Sequence, residues 1–187
     1  MGNIYKNGIK GNIINVLDSH AEIVIDSKKY GTKICLIDLF DVGSCKKVTW
    51  HIWHSKENDS FYVSGYILNS DGKRNKSIQL HRYLLEPSES LVVDHINHNT
   101  LDNRRNNLRI ASTTQNKQNL LKCQSNNKSS GIKNVYWDKE YSKWRVALRI
   151  NRVLKSFGRY HSIVEAEMVA IEARRKYFSH SQEALSV

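Results

Sequence analysis

The chain has 187 residues, with 29 Lys and Arg against 18 Asp and Glu and a net charge of +11, a length that suits one or two small domains. Its three cysteines, Cys35, Cys45 and Cys123, form no C-x-x-C pair, and the odd count argues against a disulfide framework, so a reduced, intracellular compartment is expected. No segment is long enough to span a bilayer, and the first residues lack the apolar core of a signal peptide, so a membrane partner is not expected. The charge is also uneven. Residues 1–90 carry 12 Lys and Arg against 10 Asp and Glu, a balance of +2, and residues 91–187 carry 17 against 8, a balance of +9. That excess suits a polyanionic partner for the second half.

Residues 1–12 are polar and glycine-rich and read as a weakly held end. Ala21 to Ile25 alternates loosely and meets a turn signal at Asp26-Ser27-Lys28. Lys33 to Phe40 is apolar with a single acid, and could be a strand or a short helix. Val48 to Trp53 and Phe61 to Leu68 are rich in aromatic and β-branched residues, with a hairpin loop at residues 55–59 between them. Asp71-Gly72 marks a further turn before Ser77 to Leu80. Residues 21–80 therefore read as a small antiparallel sheet. His51 and His54 are three apart on a strand and face opposite sides, which does not make a metal site. His81-Arg82 begins a short apolar segment ended by Pro87; a structural role is expected for His81.

The stretch Val92 to Asn119, VVDHINHNTLDNRRNNLRIASTTQNKQN, holds the densest set of chemical side chains. Val92-Val93 reads as a strand that gives way at Asp94-His95 to a loop marked by Asn97, Asn99, Asp102 and Asn103, residues that tolerate turns. Leu108-Arg109-Ile110 alternates as a second strand. Ser112 followed by Gln115 is a capping-box signature that starts a helix, and Asn116 falls in its first turn. His95 can accept a proton near neutral pH. Asp94 and Asn116 offer hard oxygen atoms that suit magnesium or manganese better than zinc. Asp94 and His95 can meet one phosphate only if the strand bends, because neighbours on a flat strand diverge. Asp102 is expected to pair with an arginine and hold the loop, Arg105 and Arg109 to reach backbone phosphates or form loop salt bridges, and His98 to face water.

In residue types, spacing and element order, this stretch resembles the HNH, or ββα-metal, nucleases, particularly their homing-endonuclease branch. The resemblance rests on Asp94-His95, Asn107 and Asn116. It implies hydrolysis of DNA phosphodiester bonds, with His95 as general base, Asp94 and Asn116 as ligands of one Mg2+ or Mn2+ ion, and Asn107 orienting His95 through a hydrogen bond. Some relatives hold a zinc with four cysteines; three cysteines cannot, so no zinc is expected.

Residues 122–131 have linker composition, and are expected to lie extended along DNA or to hinge two halves. Beyond them, Asn134 to Trp137 reads as a strand. Lys143 to Ile150 alternates Trp144, Val146, Leu148 and Ile150 against Lys143, Arg145, Ala147 and Arg149. Asn151-Arg152 is a two-residue turn and Val153 to Tyr160 a third strand. Ser162 with Glu165 starts a helix whose stripe Ile163, Ala166, Ala170, Ala173 and Tyr177 can cover the apolar sheet face and leave the basic face open.

These segments (SSGIKNVYW, KWRVALRI, KSFGRY and the Ala-containing helix) resemble the APETALA-type, or ethylene-response-factor, DNA-binding domain, which also occurs appended to HNH homing endonucleases. The resemblance implies a sheet lying in the DNA major groove, and points to Lys133, Tyr136, Arg145, Arg149 and Lys155 as DNA-binding residues. Tyr136, Ala147 and Ser156 depart from the plant pattern, so base preferences do not transfer.

The reading is an α+β chain: a strand-rich region over 1–76, an HNH ββα-metal nuclease core over 77–121, a linker over 122–131, a three-stranded antiparallel sheet packed on one helix over 132–180, and a tail over 181–187. The function expected is site-specific nicking of double-stranded DNA by a monomer. A restriction or phage-packaging nuclease stays open as an alternative, as does a non-catalytic DNA-binding regulator.

Overall fold

The computed structural model describes residues 11–120, 123 and 127–185. Most of the glycine-rich end, four of the ten residues of the expected linker and the last two residues fall outside that range. The chain divides into two compact units, Met1–Ala111 and Ser112–Val187.

In the first unit, alternating apolar residues make the strands. β1 (Ile13–Val16), β2 (Ala21–Ser27) and β3 (Gly31–Ile37) form an antiparallel sheet in that order. Ala21, Ile23 and Ile25 stand opposite Ile37, Cys35 and Lys33 across the β2–β3 pair, and the five apolar members of this set are buried. Intervening side chains turn outward, as the period of two requires. The segment that could be strand or helix is both: after β3 the chain makes a 3-10 turn (Leu39–Asp41) and a single helical turn, α1 (Val42–Cys45).

That interruption divides the expected single sheet in two. β4 (Trp50–Ser55), β5 (Ser60–Leu68) and β6 (Arg74–Gln79) form a second antiparallel sheet, in the order β4-β5-β6. Both sheets share one core, which joins Ile23, Ile37 and Cys35 to Trp50, Val63, Leu80, Val93 and Leu108. On β4, His51 is exposed, while His54 packs on Tyr30 and Phe61 and bonds Asp59; the two histidines diverge as alternation demands.

α2 (Leu80–Leu85) follows β6 directly and ends at Glu86, which is left-handed (φ +46°) just before Pro87. β7 (Val92–His95) and β8 (Leu108–Ala111) pair antiparallel, with Asp94 opposite Arg109 and His95 opposite Leu108. The loop between them docks on the first sheet. Leu36 N donates to Leu101 O at 2.8 Å and Asn103 N donates to Leu36 O at 2.8 Å, so the loop adds a short parallel bridge to β3. Thr100 Oγ1 donates to Phe61 O on β5.

The second unit begins with α3 (Thr113–Asn119). The Ser112 hydroxyl accepts from Gln115 N, and Gln115 Oε1 accepts from Ser112 N, which completes the capping box read from the sequence. β9 (Val135–Asp138), β10 (Lys143–Ile150) and β11 (Val153–Tyr160) form an antiparallel sheet in the order β11-β10-β9. Asn151 and Arg152 both have positive φ, the backbone of a tight two-residue hairpin turn. α4 (Ile163–Tyr177) lays Ala166, Ala170 and Ala173 over Val135, Val146 and Leu148; α5 (Gln182–Leu185) follows. The described part of the expected linker is not extended. Asn127 is buried, and its amide donates to Ile132 O and Val135 O at 2.8 Å, which folds residues 127–131 into a turn against β9.

Among the described residues, no helix is long and apolar enough to cross a membrane.

Candidate active site and nucleic-acid interface

His95 ends β7 and is only 6 % exposed. The ring of His81, from α2, stands edge-on to it with centroids 5.1 Å apart, and Tyr62 of β5 approaches at 6.3 Å. Nε2 of His95 lies 3.3 Å from Asn103 Oδ1. Burial lowers the His95 pKa, opposed by Asn103, Asp94 and Asp102. The net effect is a neutral imidazole at neutral pH, the form a general base requires. His81 is driven further, to about 3, by burial first and then by His95 and Arg82. Both rings are therefore neutral, and they pack without charge repulsion.

Asp94, 7 % exposed, stands next to His95 but in different surroundings. Across the β7–β8 pair, Arg109 Nε and Nη2 both donate to its Oδ2, at 2.9 and 2.7 Å. The guanidinium expected on a phosphate thus lies on a carboxylate, because antiparallel register sets the two side chains opposite one another. Arg105 is likewise engaged by a carboxylate, although its side chain is partly exposed. Its guanidinium bonds both oxygens of Asp41 and the Leu84 carbonyl, and stacks on Phe40. Asp41 is 4 % exposed, and a buried carboxylate needs a counter-charge. Asp102 pairs with Arg104 as expected, through Nε and Nη2 at 2.8 Å.

Asn107 braces the loop rather than the base. Its Oδ1 accepts from Asn97 N at 2.8 Å and its Nδ2 donates to Asp102 O at 2.8 Å. Both ends of the amide are thus engaged by loop backbone, and the hydrogen bond to the His95 ring comes from Asn103 instead. The sequence marked Asn103 only as a turn residue; its approach to His95, from a loop that bridges to β3, is visible only in the fold. His98, expected to face water, is half-buried in the left-handed region (φ +64°).

Among the described residues, no group of three or more His, Cys, Asp or Glu could hold a metal, so no all-protein cage is built. Asp94, in the first unit, and Asn116, in the second, each carry a hard oxygen donor of the kind that suits a divalent cation. Asn116 lies in the first turn of α3, where its N–H donates to Ser112 O at 2.9 Å.

In the second unit, register decides which side chains share the open sheet face. Arg145 stands between Tyr136 and Arg159, Arg149 opposite Leu154, and Ala147 opposite Ser156. Lys155 pairs instead with buried Leu148, so it belongs to the face that carries α4. There its ammonium lies 4.7 Å over the Tyr177 ring. Lys133 is also engaged internally: Nζ donates to Gln118 O and Leu120 O at 2.7 Å, satisfying carbonyls at the end of α3. Burial, then Arg174, lowers its pKa to about 8. Arg145, Arg149 and Tyr136 do share the open face. The sequence reading missed Arg159, which a bulge in β11 between Ser156 and Arg159 brings opposite Arg145. The Nε–H of Arg145 is buried with no hydrogen-bond partner.

In comparison with known families, residues 86–118 match the model of an HNH endonuclease family. The matched segment contains Asp94, His95, Asn107 and Asn116, and it supports a nuclease acting on DNA. No curated protein and no solved structure matches the chain.

Proposed function

We propose that the chain is a site-specific DNA endonuclease of the HNH homing type that nicks double-stranded DNA as a monomer. The observation that carries this reading is the coincidence of the HNH endonuclease match at 86–118 with a buried, neutral His95 inside it. His95 takes the proton from the attacking water. Asp94, held by Arg109, and Asn116 would supply the oxygen ligands of one Mg2+ or Mn2+ ion. When bound, such an ion neutralises charge that develops on the phosphate and the leaving oxygen. Asn107 keeps the loop in shape around the base. The ion pairs of Arg105 with Asp41 and of Arg104 with Asp102 tie down the same loop.

The open face of the C-terminal sheet positions the cutting unit on its target. Arg145, Arg149 and Tyr136 are the contacts of this reading, with Arg159 added by the register. Arginines there suit bidentate contacts to guanine, each worth about 1–3 kcal/mol of discrimination. The balance of +9 over residues 91–187 supports a polyanion at this end of the chain.

The test is nicking of supercoiled plasmid that carries a target library, with Mg2+ or with EDTA, by wild type and His95→Ala. Metal-dependent nicked circles that the variant does not produce support the reading. Salt-sensitive binding without cleavage under any divalent metal would replace it with a DNA-binding regulator.

A further inference from the structure

We infer that Asn103 fixes the tautomer of His95, so that Nε2 carries the hydrogen and the basic lone pair lies on Nδ1. The inference rests on the nuclease reading for its consequence, and on a hydrogen-bond chain in the first unit for its argument.

Asn103 is 1 % exposed, so its amide must find all its partners within the protein. Its Nδ2 donates to Cys35 Sγ at 3.2 Å and to Thr100 O at 3.3 Å. An amide nitrogen has two hydrogens and accepts nothing, so that end of the side chain is fully engaged. The other end, Oδ1, faces His95 Nε2 at 3.3 Å. A carbonyl oxygen only accepts, so Nε2 must donate.

The reverse amide orientation would set Oδ1 against the Thr100 carbonyl, two acceptors face to face. Cys35 does not rescue that arrangement, because its own S–H points to Leu36 O. Burial pushes the Cys35 thiol far above its usual range, so it stays S–H, and its sulfur is left as the acceptor. A neutral imidazole has one N–H; with Nε2 protonated, the basic lone pair is on Nδ1. Asn103 thus acts through His95 as a positioning residue, and Cys35 on β3 anchors it. This gives the N-terminal sheet a part in the chemistry that its sequence does not announce.

The tautomer follows from the network of donors and acceptors, and it can be measured. Long-range 1H–15N correlation on 15N-histidine-labelled protein, without metal and above pH 7, distinguishes the two neutral forms; the peaks lost in His95→Gln identify His95. The wild type should show the Nε2–H pattern. Asn103→Ala should show a mixture or the Nδ1–H pattern. It should also lower kcat for nicking with KM unchanged, by about tenfold to a hundredfold, at or below the lower end of the roughly 10²–10⁴-fold that general-base catalysis supplies.

An Nδ1–H pattern in the wild type overturns the inference, as does an unchanged Nε2–H pattern in a folded Asn103→Ala. The wild-type spectrum decides the tautomer even if that variant does not fold. If the wild type shows Nε2–H but His95→Ala cleaves as well as wild type, the tautomer assignment stands and the nuclease reading of His95 fails.

Discussion

Replacing Arg105 with alanine separates the two roles open to that side chain. In the structure, Arg105 closes an ion pair on Asp41 at 3.0 Å, with the Asp41 side chain 5 % exposed and the Arg105 side chain 41 % exposed. Nη2 also donates to Leu84 O at 2.9 Å. Removing one partner of a fully buried pair costs roughly 3–5 kcal/mol, because it strands the other charge. Here the guanidinium is open to solvent on one side, so screening reduces that figure. We expect a loss of about 2–3 kcal/mol for Arg105→Ala, also on the grounds that an unpartnered buried carboxylate costs more than a surface pair is worth. The backbone N–H of residue 105 still bonds Asp38 Oδ2, so the loop should keep its path. Urea unfolding followed by tryptophan fluorescence reads the loss, and Asp41→Asn in the Arg105→Ala background should recover part of it. DNA affinity measured across salt concentrations reads the other role. A lost phosphate contact lowers the slope of log K against log salt by about 0.9; the internal role leaves that slope unchanged. Wild-type stability combined with a reduced salt slope would refute this reasoning.

Three further outcomes follow from the same geometry. His81 is about 3 in the folded protein against 6.5 unperturbed; between these values the unfolded chain holds a proton that the folded one does not, so stability is full above pH 6.5 and falls as pH drops toward 3. His81→Phe should therefore flatten the loss of melting temperature between pH 7 and pH 4, and an unaltered pH dependence would contradict the burial argument. Lys133 gives the same sign at the alkaline end: with a folded pKa of about 8 against 10.5, stability should rise from pH 8 to pH 10.5, and Lys133→Met should abolish that rise in alkaline melting curves. A Cβ at Gly65 would press on Val48 and on the ring of Trp50 and the Thr49 carbonyl; Gly65→Ala should cost about 1–3 kcal/mol by overpacking, and an unchanged urea midpoint would show that this strand pair yields more easily than close packing implies.

Local pattern carried most of the secondary structure. The strands at Lys143–Ile150 and Val153–Tyr160, the capped helices after Ser112 and Ser162, and the pairing of Asp102 with a neighbouring arginine depend on residues close in sequence, whose periodicity and side-chain bonding are legible without a fold. The small first strand at Ile13–Val16 escaped because its residues, Ile-Ile-Asn-Val, do not alternate and are mostly exposed. The single N-terminal sheet became two because the 3-10 turn at Leu39–Asp41 reads locally as more of an apolar run.

The amino-acid sequence alone determined which chemical groups stand in strand-loop-strand-helix order, Asp94, His95, Asn107 and Asn116, and that a basic strand face follows further on. Tertiary structure decided how they are used. Whether Arg109 meets a phosphate or Asp94, whether Asn103 or Asn107 reaches the His95 ring, and whether Lys155 faces outward or toward Tyr177 each depend on register and on contacts between distant segments. A hydrogen bond is satisfied by whichever partner the fold brings within about 3 Å, and the donors closest in sequence have no precedence over one 68 residues away, as between Asn103 and Cys35.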